Sequence, residues 1–173
     1  AQTPLCAEQL YKSAQKNLPK DVFNYLHLNH KDGLKIVSDS RINFVSFTGS
    51  VKAGYEVQKA THTKFIDMAL ELGGKDPAYV RYDCDLEKTV ENLVDGSFFN
   101  SGQSCCGIER IYVDSKIYDK FLESFISKTY NYKFGNPLEK ETNLGPVVKL
   151  SSAEFIINQM NAAIEKGAKK MID

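Results

Sequence analysis

The chain has 173 residues, enough for one domain or two small lobes with a core that needs no covalent staple. Its 22 Lys and Arg balance 22 Asp and Glu, and no basic run occurs, which argues against nucleic acid or an anionic membrane surface as a partner. The four cysteines (Cys6, Cys84, Cys105 and Cys106) fit no common zinc spacing, and no metal site is expected.

Free thiols point to a reducing compartment. With no signal peptide and no apolar run of about 18 residues, the chain is expected to be cytoplasmic and not membrane-bound.

In chain order, Thr3-Pro4 predicts a helix start, with Cys6, Leu10 and Ala14 at helical spacing and Pro19 as the stop. Val22–Leu28 predicts a short strand, and Lys31–Ser40 a short helix around Leu34, Ile36 and Val37. Asn43–Thr48 predicts a strand that turns at Gly49-Ser50 into a helix running towards His62. Phe65–Leu72 alternates, with Ile66, Met68, Leu70 and Leu72 on one face and Asp67 and Glu71 on the other.

Gly73-Gly74 then punctuates the chain. The pattern restarts with a strand at Ala78–Tyr82, a helix carrying Leu86, Val90, Leu93 and Val94, a strand at Arg110–Val113 and a helix carrying Ile117, Phe121, Leu122 and Phe125. Asn136-Pro137 and Gly145-Pro146 bound a turn-rich loop. Ser151 and Glu154 have capping-box spacing for a last helix ending near Gly167, and Lys169–Ile172 predicts a strand beginning. Repeated strand and helix imply an α/β fold of parallel β-α-β units in two lobes.

Three stretches carry chemistry. In Phe47-Thr48-Gly49-Ser50 a strand turns through glycine into a helix, whose exposed N–H groups and positive dipole end suit an anion. Ser50 has two uses here, capping the helix or bonding a phosphate, and Gly54 allows close backbone approach. Glu71 ends an apolar strand beside two glycines, where partial desolvation would let a carboxylate act as a base; a solvated strand-end carboxylate is the plainer alternative. Phe98–Arg110 places Cys105 and Cys106 after a Gly102-Gln103-Ser104 turn, where small residues give access to a thiol and backbone N–H groups can hold an oxyanion. Buried, inert cysteine is the alternative there. His27 and His30 receive no role.

Taken together, FTGSVKAG (47–54), LELGGK (70–75) and FFNSGQSCCGIER (98–110) resemble the aldehyde dehydrogenase superfamily, and GNPL (135–138) and LGPVV (144–148) fit its later segments. The 34 positions from Glu71 to Cys105 match the usual separation. The resemblance implies part of a Rossmann-like cofactor domain over residues 1–74, followed by part of a catalytic domain over 75–173. It implies NAD or NADP as cofactor, with Gly49 and Ser50 at the helix terminus that holds the pyrophosphate and Leu72 and Gly73 as further contacts. Cys105 would be the nucleophile, its backbone N–H half of the oxyanion hole, and Glu71 the general base. Cys106 would be a neighbour only.

The implied reaction oxidises an aldehyde to a carboxylic acid through a thiohemiacetal and a thioester on cysteine. Relatives that pass the acyl group to coenzyme A commonly lack the glutamate, so Glu71 favours hydrolysis. A homodimer or homotetramer is implied for the intact enzyme.

Several departures matter. The asparagine that completes the oxyanion hole, a ribose-gripping lysine, a later nicotinamide-ribose glutamate and the oligomerisation strand have no counterpart in these 173 residues. The chain is therefore expected to be an internal fragment with little activity alone. Leu28–Gly33, LNHKDG, differs from the family's glycine-rich turn. Ala1 stands where many NAD-preferring members have a glutamate, leaving room for the phosphate of NADP. The competing expectation is a non-catalytic module that keeps the fold for binding or structure.

Overall fold

A computed structural model of the protein describes residues 3–172; Ala1 lies outside the described residues, and with it the cofactor argument made for that position. The chain divides into two compact units, Ala1–Leu72 and Gly73–Asp173.

In the first unit, helix α1 (Pro4–Ala14) and helix α2 (His30–Ser38) precede strand β1 (Phe44–Gly49), helix α3 (Val51–Thr61) and strand β2 (Asp67–Leu72). Pro4 stands in the first turn of α1, where its missing N–H is harmless. Thr3 makes no side-chain cap bond, so proline alone sets that start. Asn29 caps α2 by accepting from the Asp32 N–H at 2.9 Å.

Strands β1 and β2 pair in parallel with α3 as the crossover, and Phe44 lies opposite Asp67 in register. Val45 and Val57 are the buried apolar residues of this unit, with Thr61 buried beside them. The Thr61 hydroxyl is satisfied by donating to the Gln58 carbonyl at 2.9 Å. Beyond α2 the chain is secured by Lys64, whose ammonium donates to the carbonyls of Val37 and Asp39, both at 2.7 Å.

Val22–Leu28 is not a strand. A strand requires a neighbour for its N–H and C=O groups, and among the described residues β1 and β2 pair only with each other in this unit. The segment instead follows Asp21, at φ 66°, and packs by its rings: Tyr25 lies 5.2 Å from Tyr11 and 5.1 Å from His27, centroid to centroid.

The second unit repeats the β-α-β theme. Strand β3 (Asp76–Val80), helix α4 (Leu86–Phe98), a tight turn (Phe99–Gly102) and strand β4 (Ile108–Val113) form a parallel pair with its crossover, followed by helices α5 (Tyr118–Thr129) and α6 (Leu150–Glu165). Asp85 caps α4 by accepting from Lys88 N–H at 3.2 Å. Val80, Val90, Val94 and Phe121 are the core, closed over by Ile111, Val113 and Phe125. The apolar positions of α4 and α5 thus meet each other over the sheet, as the helical spacing requires. Gly96 lets α4 approach β4 closely, because a Cβ there would lie 3.0 Å from Ile108 Cγ1.

Two expectations at the C-terminal end are corrected. Ser151 and Glu154 lie inside α6, whose N-cap is Lys149 with no side-chain cap bond, so the capping-box spacing is not used. Residues 168–172 are irregular, and the strand expected from Lys169 does not form among them. None of the residues of α6 is buried. Among the described residues no helix is long and apolar enough to cross a membrane, and no group of His, Cys, Asp and Glu is arranged to hold a metal ion.

Candidate functional site

In the first unit the sequence-predicted residues gather at one sheet edge. The parallel register sets Thr48 opposite Glu71 and Gly49 opposite Leu72, so both strands end together and α3 begins there. Parallel α/β units bind ligands at this carboxyl edge, where strand ends and helix N-termini converge. Glu71 is exposed, on the opposite face of β2 from half-buried Leu70 and Leu72.

Ser50 caps α3 through its hydroxyl, which accepts from the Ala53 N–H at 3.2 Å. The cap satisfies one of the first-turn N–H groups, and no acidic side chain occupies that turn. A positive helix end left open to solvent and free of carboxylates suits a pyrophosphate.

Gly54 does something different from the backbone approach expected of it. A Cβ at Gly54 would lie 3.0 and 3.2 Å from the Leu72 methyl carbons, so the leucine side chain occupies the space that glycine leaves. Gly54 therefore serves the packing of α3 on β2. Leu72 spends its side chain in that contact, so a cofactor contact there would fall to its backbone.

In the second unit the cysteine loop is built by backbone geometry. Helix α4 ends at Phe98, and Asn100, Ser101 and Gly102 then take φ of 51°, 58° and 71°, all left-handed. Asn and Gly visit this region readily, but for Ser101 it costs about 1–2 kcal/mol. Side-chain bonds hold the turn in place. Asn100 Nδ2 donates to the Gln103 carbonyl and Gln103 Nε2 donates to the Asn100 carbonyl, each at 3.1 Å.

Ser104 to Gly107 then forms a second turn, closed by the Gly107 N–H donating to the Ser104 carbonyl at 3.2 Å. Cys105 and Cys106 are its two central residues. Central positions of a turn face outward, and both thiols are accordingly free and exposed. Neither thiol is buried within this chain. Cys106 Sγ lies 3.4 Å from Ser104 Oγ, within hydrogen-bonding reach for a thiol.

The stretch Gly73–Lys75 belongs to the same loop cluster. Gly74 N–H donates to the Cys105 carbonyl at 3.2 Å, and Arg110 donates through Nε (3.2 Å) and Nη2 (2.9 Å) to the Lys75 carbonyl. Lys75 itself is left-handed, at φ 54°, and its ammonium pairs with Glu109. Gly73 has open space where a side chain would project.

Gly49, Ser50, Glu71 and Leu72 thus share one edge of the first unit, while Gly73, Cys105 and Cys106 belong to the second. Sequence reasoning passed over Arg110, Ser101 and the side chain of Gln103. The consecutive Asn-Ser-Gly ahead of the cysteines was the available signal for a left-handed turn.

The sequence profile of the aldehyde dehydrogenase family matches residues 1–173. The chain is 37% identical over 163 residues to lactaldehyde dehydrogenase of Methanococcus aeolicus, covering 94% of this chain and 34% of that protein. It is 32% identical over 170 residues to human 4-trimethylaminobutyraldehyde dehydrogenase, covering 96% and 34%.

Among solved structures, glyceraldehyde-3-phosphate dehydrogenase of Methanocaldococcus jannaschii in complex with NADP superposes with a TM-score of 0.90 at 36% identity, over 98% of this chain and 38% of that one. Betaine aldehyde dehydrogenase of Staphylococcus aureus in complex with NAD+ gives 0.90 at 29% identity, over 95% and 33%. The chain spans about a third of the length of the curated relatives it matches.

Proposed function

The chain belongs to the aldehyde dehydrogenase family, and we propose that it carries the thiol and the carboxylate of an NAD(P)-dependent oxidation of aldehydes to carboxylic acids. The observation that carries this reading is the exposure of Cys105 at a turn corner, held by backbone and side-chain bonds on either side. A nucleophilic thiol needs access and a fixed backbone, and an inert structural cysteine needs neither.

The Cys105 thiolate attacks the aldehyde carbon; a C–S bond forms and the carbonyl electrons move onto oxygen. The backbone N–H of Cys105 donates to that oxyanion in the resulting thiohemiacetal. When bound, NAD(P)+ supplies the two-electron oxidant that takes the aldehyde hydrogen as hydride. Cys105 then holds a thioester. Glu71 takes a proton from water, the hydroxyl adds to the acyl carbon, the C–S bond breaks, and the carboxylic acid leaves with Cys105 restored as thiolate. The α3 N-terminus at Gly49-Ser50 would hold the cofactor pyrophosphate, and Leu72 and Gly73 would be further cofactor contacts. Residues 1–74 are read as dinucleotide-binding sequence and residues 75–173 as catalytic-domain sequence.

The test is substitution at the paired thiols. In the intact enzyme, Cys105→Ala should abolish aldehyde-dependent NAD(P)H formation, and Cys106→Ala should leave most of it. The reverse pattern would assign the nucleophile to Cys106 and contradict this reading.

A further inference from the structure

We propose that Gln103 is a positioning residue for Cys105: its side-chain amide bridges the left-handed turn that leads to the cysteine and the Gly145–Val148 segment of the following loop. Gln103 uses both ends of that amide. Nε2 donates to the Asn100 carbonyl at 3.1 Å, and Oε1 accepts from the Val148 N–H at 3.2 Å, across 45 positions of sequence. Ser101 makes a parallel tie, its hydroxyl donating to the Gly145 carbonyl at 2.6 Å.

One bond from left-handed Ser101 and one from Gln103, the residue after the left-handed run, therefore join this turn to Gly145–Val148, and Ser104 alone separates Gln103 from the cysteine pair. A primary amide is the side chain that offers one donor and one acceptor at a fixed angle. Glutamate keeps the acceptor for Val148 and sets a carboxylate oxygen against the Asn100 carbonyl; alanine loses both bonds. A left-handed serine persists only where its surroundings over-determine it. With the bridge gone, the turn relaxes and takes with it the Cys105 N–H that must meet the oxyanion.

The inference deepens the assignment of Cys105 as nucleophile and rests on it. Its test reads three quantities in the intact enzyme carrying Gln103→Ala, Gln103→Glu or Ser101→Ala: amide hydrogen exchange over 144–148, the ratio of Cys105 to Cys106 alkylation by iodoacetamide, and kcat against KM for an aldehyde. Gln103→Ala should speed exchange at the Val148 amide about fivefold, the value of one hydrogen bond. It should also change the alkylation ratio and lower kcat about ten- to a hundredfold while KM moves little, as loss of alignment requires. Gln103→Glu should keep Val148 protected and still lose kcat.

Unchanged exchange in Gln103→Ala would overturn the proposal. So would faster exchange with the alkylation ratio and kcat unaltered, because the bridge would then be structural only. If Gln103→Ala fails to fold, Gln103→Glu still reads the alkylation ratio and kcat with Val148 protected, and Ser101→Ala, which loses the tie to Gly145, should also shift the ratio and lower kcat; both quantities unaltered in both variants would overturn the proposal. Turnover that survives Cys105→Ala would contradict the nucleophile assignment alone, since exchange and alkylation are measured without turnover.

Discussion

The Gly74 N–H and the Cys105 carbonyl are joined at 3.2 Å, so the backbone leading into β3 is bonded to the backbone of the cysteine turn. Arg110 reinforces this contact from β4 through its two bonds to the Lys75 carbonyl. Arg110→Ala should lower stability by about 1–2 kcal/mol in urea unfolding, as expected for bonds from a charged donor in an exposed setting. It should also speed exchange of the Gly74 amide. Unaltered exchange there would mean that the cysteine turn holds without the arginine.

Lys64 closes the end of α2 from 25 or more residues away, its ammonium shared between the Val37 and Asp39 carbonyls. Lys64→Met keeps the stem and removes the charge-assisted donors. A loss of about 2 kcal/mol is expected, with exchange protection falling at the last turn of α2. A surface lysine of no structural consequence would show neither.

The core of the second unit is small, and Phe121 is its one buried aromatic residue among the described residues. It contacts the Phe125 ring at 5.6 Å between centroids. Phe121→Ala should cost about 3–5 kcal/mol, the range for emptying an aromatic site in a packed core, and thermal unfolding would register it.

Tyr132 sits against Phe98, 5.7 Å between ring centroids, and burial pushes its phenol above the ordinary value of 10.0, with the charge of Asp95 adding to the shift. A group whose folded-state value is raised adds stability that is fully present below its unfolded value and is lost as pH rises through the folded one. The protein should therefore lose stability as pH rises past 10. Tyr132→Phe should remove that part of the loss, and tyrosinate absorption should show one ring titrating late. If every tyrosine ionises together, the burial argument fails.

The β-α-β units were legible because their signals are local. Alternating apolar residues marked β2, the Gly49-Ser50 turn marked the start of α3, and helical spacing marked α4 and α5. Gly102-Gln103-Ser104 marked a turn before the cysteines, whose left-handed part lies at Asn100–Gly102. What escaped was non-local. Val22–Leu28 has strand composition, yet strand formation depends on a paired neighbour that composition does not specify. Ser151 and Glu154 have cap spacing, but the chain enters α6 two residues earlier, so both fall within the helix. Gly54 read as close backbone approach, and the space it leaves is taken by Leu72 from a different element. Gln103 and Val148 stand 45 positions apart, and nothing within either stretch announces the bond between them.

The central claim assigns two separate steps to two residues, and one variant separates them. Glu71→Gln removes the base and leaves the thiol, so acylation should proceed while hydrolysis stalls. Mass spectrometry of this variant of the intact enzyme after exposure to an aldehyde and NAD(P)+ should find the acyl group as a thioester on the peptide carrying Cys105. An acyl group on Cys106, or free carboxylic acid forming at the parent rate, would contradict the account.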